Sequence, residues 1–339
     1  MSKGRIARRL LVAAAVAAPL LAACGGGGDD ALVVYSGRNE NLIRPLLDRF
    51  ETETGIDIDV KYGDTAELLP TILEEGGNSP ADVFFSQDAG ALGELAGKGL
   101  LQPLPGDVTG LVDERFRDER GRWVGVTGRA RVIAYNTERV AADQVPQTVL
   151  AVTDPRWQGR VGYPPTNASF IAFVTSLRET VGDERTRAFL QGLKVNGAKR
   201  YDNNIQTLDA VASGEVDLGL VNHYYLFNEF KERPGAPVAN FYPGQAPDGE
   251  GTLINVAGAG ILATSERPAD AQRFVRFLLE EGAQQYFRDE TTEYPLRRGV
   301  SAIPELPPLD SLRTIPIPLS QLGRDLVGTV TMLKEVGLT

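Results

Sequence analysis

The chain has 339 residues with 35 basic and 45 acidic side chains, a formal charge of −10, and it contains a single histidine and a single cysteine. That acidity argues against nucleic acid or an anionic membrane face as a partner. One histidine and one cysteine cannot build a Cys/His zinc cluster, an HExxH helix or an internal disulfide.

The amino terminus reads as an export signal over residues 1–24. Lys3, Arg5, Arg8 and Arg9 precede an apolar run from Leu10 to Ala18, and Leu21-Ala22-Ala23-Cys24 closes it. The apolar run is shorter than the ~20 residues that span a bilayer, so a secretory signal is expected rather than a membrane helix. The last four residues resemble a lipobox, which implies lipid on Cys24 and membrane contact through that lipid alone. Arg8-Arg9 sits in surroundings that match a twin-arginine signal poorly, so the general secretory route is expected. Residues 25–30, Gly25 to Gly28 and Asp29-Asp30, read as a flexible tether. Without residues 1–24, 31 basic side chains face 45 acidic ones, a net −14.

The body alternates short strands with helices. Leu32 to Tyr35 reads as a strand, and Leu42, Ile43, Leu46, Leu47 and Phe50 recur at helical spacing until Gly55 supplies a stop. Ile56, Ile58 and Val60 alternate as a strand, Asp64-Thr65 opens a helix to Glu75, Asp82 to Phe85 is a strand, and Ala89 to Ala96 a helix. This βαβαβα order predicts an α/β fold with a mainly parallel sheet. Further on, Val161 to Tyr163 leads into a helix over Phe170 to Leu177, Thr186 to Leu193 and Gln206 to Ala212 read as two more helices, and Val216 to Val221 reads as a buried strand.

Asn222-His223-Tyr224-Tyr225-Leu226-Phe227 follows that last strand, and ligands in open α/β sheets sit beyond the carboxyl ends of strands. Two adjacent phenols there can be buried hydroxyls in need of partners, a stacking surface, or two oxygen ligands for a hard metal ion. No GxxxxGK[ST] loop and no GxSxG elbow occurs, and Gly258-Ala259-Gly260 reads as a close backbone approach rather than a dinucleotide fingerprint.

Six segments occur in a specific order: Val34-Tyr35-Ser36-Gly37-Arg38, Phe50 to Ile56, Pro80-Ala81-Asp82-Val83-Phe84-Phe85, Gly128-Arg129-Ala130-Arg131-Val132, Trp157 to Tyr163, and Asn222-His223-Tyr224-Tyr225. Together they resemble the bacterial ferric-ion-binding proteins, the extracytoplasmic substrate-binding components of iron ABC transporters. The resemblance implies a type II periplasmic-binding-protein fold, two α/β lobes with a hinge and an interlobe ligand cleft. Residues 31–129 and 256–306 would form lobe one, and 130–255 with 307–339 lobe two. The crossings would fall near Arg129 to Val132 and Ile254 to Val256.

By the same resemblance Tyr224 and Tyr225 would hold Fe(III), whose charge favours the ionised phenol. Neighbouring residues on a strand point to opposite faces, so the pair needs a strand-to-helix turn to share one ion. Relatives' histidine and glutamate positions fall here on Asn39 and Gln87, both neutral amides and weak ferric ligands. Fe(III) on two phenolates keeps one positive charge, which calls for a synergistic anion such as carbonate, phosphate or citrate. The positions matching the family's anion site are the backbone amides of Asn167, Ala168 and Ser169 at a helix start, with the side chains of Asn204 and Asn222. Arg129 and Arg38 are further anion-binding candidates, although surface positions or interlobe ion pairs would account for them equally. His223 reads as an exposed or capping residue rather than a ligand. The resemblance implies a monomer that delivers iron to a membrane permease and is no enzyme. An oxyanion binder on the same fold is the alternative, and an enzyme on a two-lobed scaffold lacks any nucleophile and base.

Overall fold

A computed structural model describes residues 31–323 and 325–339. The export signal, Cys24 and the tether over 25–30 lie outside the described residues. No helix among the described residues is long and apolar enough to cross a membrane.

The chain runs β1 (Leu32–Ser36), α1 (Glu40–Thr54), β2 (Ile58–Tyr62), α2 (Thr65–Glu75), β3 (Val83–Ser86), α3 (Ala89–Gly97), β4 (Leu101–Gln102), α4 (Gly106–Thr109) and β5 (Trp123–Asn136). It continues through β6 (Val161–Tyr163), α5 (Ala168–Val181), α6 (Asp183–Val195), β7 (Lys199–Arg200), α7 (Asn204–Ala212), β8 (Leu218–Asn222), α8 (Tyr225–Glu232) and β9 (Val238–Phe241). Then follow β10 (Ile254–Leu262), α9 (Pro268–Leu278), α10 (Glu281–Tyr286), β11 (Tyr294–Pro295) and α11 (Leu326–Val336).

Helix α1 shows how local sequence sets these bounds. The Asn39 side chain accepts a hydrogen bond from the Asn41 amide at 2.9 Å to cap the start, and Gly55 ends the helix at φ 70°, where a Cβ would be disfavoured. Between them Ile43, Leu46, Leu47 and Phe50 fall on one buried stripe, and the Phe50 ring meets Phe274 and Phe277 of the α9 region, each at 5.2 Å.

The fold has two lobes that share strand β5. In the first, β2, β1 and β3 are parallel, and β10 runs antiparallel between β3 and the first part of β5. In the second, β8 pairs antiparallel with the rest of β5 and parallel with β6, which is parallel to β7. Strand β5 changes partner in one step: Ala130 faces Ile254 of β10, and Arg131 faces Asn222 of β8. Gly258 and Gly260 lie within β10, where a Cβ would stand 2.7 Å from the Val124 carbonyl and 2.8 Å from Leu101 respectively. They are the close backbone approach that the sequence suggests. The carboxyl-terminal chain touches both lobes. Leu319–Gly323 packs on α3, with Gly323 against the Gly90 backbone, and α11 packs on α5 through a 2.9 Å contact between the Thr175 and Thr329 hydroxyls.

Candidate functional site

Strand β8 ends at Asn222 and helix α8 begins at Tyr225, so the tyrosine pair occupies a strand-to-helix turn. Tyr224 has right-handed helical dihedrals, which removes the strand alternation that would throw the two rings apart. The rings stack with centroids 4.3 Å apart and an interplanar angle of 29°. Tyr224 is buried and Tyr225 half-buried, opening on a cavity of about 200 Å³ shared with Ile205 and Glu229. Burial pushes the Tyr224 hydroxyl well above its ordinary range; Tyr225 adds to this, while Arg129 pulls it back.

Three guanidinium groups surround these rings. Arg38, Arg129 and Arg131 are each no more than 4% exposed, and each has a buried nitrogen without a hydrogen-bond partner. Arg38 forms a two-pronged pair with Glu293, at 3.1 and 2.6 Å, and Arg129 Nε lies 3.6 Å from the same carboxylate. Glu293 also accepts from Thr127 Oγ1 at 3.2 Å and Thr291 Oγ1 at 3.1 Å. Burial alone would raise the Glu293 carboxyl, but Arg38 and Arg129 outweigh it and hold it below the usual range. Three cations against Glu293, with the Asp88 carboxyl also near Arg129, leave the tyrosine surroundings electropositive. Both arginines named above as further anion candidates are therefore buried and paired with Glu293 rather than on the surface.

Arg131 has no such carboxylate. Its Nη1 donates to Ser169 Oγ at 3.1 Å, Asn204 Oδ1 at 3.1 Å and Asn222 Oδ1 at 3.4 Å, and its Nη2 donates to the Leu220 carbonyl. Asn167 Oδ1 joins the cluster by accepting from Ser169 Oγ at 2.6 Å and Asn204 Nδ2 at 3.1 Å. The proposed anion positions thus gather on a guanidinium that was not among them. Two of the three proposed amides already have partners: Asn167 N–H bonds Pro164 and Ser169 N–H bonds the Asn167 side chain, while Ala168 opens α5. Burial pulls Arg131 down to about 9, and the Tyr225 and Tyr224 phenols act in the opposite direction, so at neutral pH it is a cation without a fixed counter-charge. A signal for Arg131 was present in Arg129-Ala130-Arg131, since residues two apart on a strand share a face. For Glu293, 255 positions from Arg38, the sequence offers none.

The lobe-one positions behave differently. Asn39 is exposed and its amide oxygen is engaged in capping α1. Gln87 is half-buried and its backbone amide donates to Thr65 Oγ1 at 2.9 Å. The next residue, Asp88, caps α3 through Ala91, and burial raises its carboxyl. His223 is a correction: it is fully buried, not exposed. Its Nδ1 accepts from the Ala130 amide at 3.0 Å and its Nε2 faces the Thr292 carbonyl at 3.1 Å, so neither nitrogen is free for a metal. Burial draws it down to about 4, which keeps the ring neutral at neutral pH. Among the described residues no group of three or more His, Cys, Asp or Glu side chains forms a metal cage. A cavity of about 860 Å³ walled by Arg115, Phe116, Arg120, Ile254 and Ile317 opens elsewhere and contains none of the residues above.

Comparison with known proteins decides the family. The bacterial extracellular solute-binding protein profile matches residues 78–316. The chain belongs to that family. A Serratia marcescens member, the Fe(3+)-binding periplasmic protein, is 31% identical over 91% of this chain and 90% of its own. The crystal structure of iron-bound HitA from Pseudomonas aeruginosa superposes with a TM-score of 0.84 at 33% identity, covering 91% of this chain and 100% of that one. A Trichodesmium protein in complex with iron and citrate superposes at 0.80 with 29% identity, covering 91% and 100%. The Serratia relative is a periplasmic Fe(3+)-binding protein and the two solved structures hold iron, and the family is one of solute binding rather than catalysis.

Proposed function

We propose that this solute-binding protein captures ferric iron on Tyr224 and Tyr225 together with a synergistic anion, and passes it to an ABC transporter permease while anchored by lipid on Cys24. The observation that carries the reading is the stacked phenol pair set among three buried arginines, of which Arg131 has no carboxylate partner. Phenolate oxygen is the hard, anionic donor that Fe(III) prefers, and an adjacent trivalent charge offsets the burial that otherwise keeps Tyr224 protonated. Fe(III) on two phenolates still carries a positive charge, and the arginine excess adds to it. The anion therefore neutralises the iron, with Arg131, Ser169, Asn204 and Asn222 as its seat. Carbonate, phosphate and citrate all fit this demand, and the Trichodesmium relative's iron and citrate support the polycarboxylate.

Adding ferric iron with bicarbonate, phosphate or citrate should produce a visible phenolate-to-iron charge-transfer band, and Tyr224→Phe or Tyr225→Phe should abolish it. The same arginines favour a second reading, an oxyanion binder that takes no metal. Calorimetric binding of citrate or phosphate without any colour on adding iron would decide for it.

A further inference from the structure

His223 lies at the one place where the tyrosine turn, the arginine strand and the Glu293 corner meet. Its backbone amide donates to the Ala130 carbonyl at 3.0 Å while its Nδ1 accepts from the Ala130 amide, so it holds both polar groups of the residue between Arg129 and Arg131. Because Nδ1 accepts a proton there, the neutral ring carries its hydrogen on Nε2 and donates it to the Thr292 carbonyl. Thr292 sits at φ 54°, the only non-glycine residue with positive φ among the described residues, a conformation that costs roughly 1–2 kcal/mol for a side chain with a Cβ. The following residue is Glu293, which grips Arg38 and Arg129. The ring also lies 4.9 Å from Tyr294 and edge-on at 5.9 Å to Tyr224.

We infer that His223 is a positioning residue: as a neutral Nε2–H imidazole it ties the phenol turn to the Thr292–Glu293 corner and to Ala130, setting the phenols against the arginines. It touches no ligand itself. For iron this rests on the phenol reading given above. The tie needs one acceptor and one donor on the same side chain. Leucine supplies neither, whereas glutamine supplies both on a longer stem.

The test uses the full chain and ferric citrate. His223→Leu should weaken ferric citrate binding about 10–100-fold, the range for residues that orient metal ligands, and should shift the charge-transfer band. His223→Gln should recover most of both. A His223→Leu protein with wild-type band and affinity overturns the inference while leaving the iron reading intact. Should that variant not fold, nitrogen-15 imidazole spectra of the wild type decide. An Nε2–H tautomer protected from exchange supports the tie, and an Nδ1–H or freely exchanging ring overturns it. A wild type that gives no colour with iron removes the iron reading alone, and the tautomer spectra still judge the tie.

Discussion

The two lobes bring different groups to the proposed site. On the second lobe, Tyr224, Tyr225, Asn167, Ser169, Asn204 and Asn222 come from α5, α7 and the β8–α8 turn and from the residues just before them; the asparagines and Ser169 hydrogen-bond to one another or to Arg131, and the two phenol rings stack on each other. On the first lobe, Asn39 caps a helix and Gln87 fastens a turn, while the charge comes from Arg38 and from Arg129 through Glu293. The second-lobe side thus offers oxygen donors around one cation without a carboxylate partner, Arg131, and the first-lobe side offers cations paired to Glu293. A cleft of this kind suits a cargo with a hard cationic centre and an anionic partner, and binding should be lost differently from each side.

The largest effect should follow breaking the cationic side at its counter-charge. Glu293→Gln leaves the buried Arg38 without its carboxylate partner and takes one from Arg129, and removing one member of a buried ion pair costs about 3–5 kcal/mol. Urea denaturation near neutral pH should show this loss. The pH dependence sharpens it. Since the folded carboxyl is held below its unfolded value, its contribution is complete above about pH 4.3 and disappears as the pH falls through the folded value. The gap between wild type and variant should therefore close on acidification, and a gap that persists or widens would contradict the ion-pair role.

An intermediate effect should come from the anion seat. Arg131→Gln keeps polar contacts to Ser169 and Asn204 but removes the charge. A charge-assisted hydrogen bond contributes about 1.5–3 kcal/mol, so citrate or phosphate affinity should fall roughly 10–100-fold. Calorimetry should also show a weaker salt dependence in the variant. Unchanged anion affinity would mean that Arg131 only braces the second lobe.

The sequence made the second-lobe side legible because its parts are short and local. The buried strand read over Val216 to Val221 ends just before Tyr224 and Tyr225, and the helices read from Phe170 and Gln206 begin two residues earlier, at Ala168 and Asn204. The cationic side was far less legible. Arg38, Arg129 and Glu293 meet only because β1, β5 and the segment leading into β11 are brought together by sheet pairing, and no local periodicity records that. His223 was misjudged for the same reason, since its two ring partners lie 93 and 69 residues away. Strand β5 itself has buried residues at all 14 positions, so it lacks the alternation that marks a half-exposed strand.

The smallest effect should separate helix capping from ligand binding at Asn39. Its amide oxygen caps α1 from an exposed position, so Asn39→Ala should cost about 1 kcal/mol of stability and Asn39→Asp, a capping residue of equal quality, almost nothing. Ferric citrate affinity should be the same in both. If the oxygen instead reached the metal, the order would reverse: an added carboxylate would tighten iron and alanine would loosen it, while thermal stability would hardly register the difference. Paired melting and iron titrations of the two variants therefore distinguish a first-lobe side that supplies only cations from one that also supplies an oxygen donor.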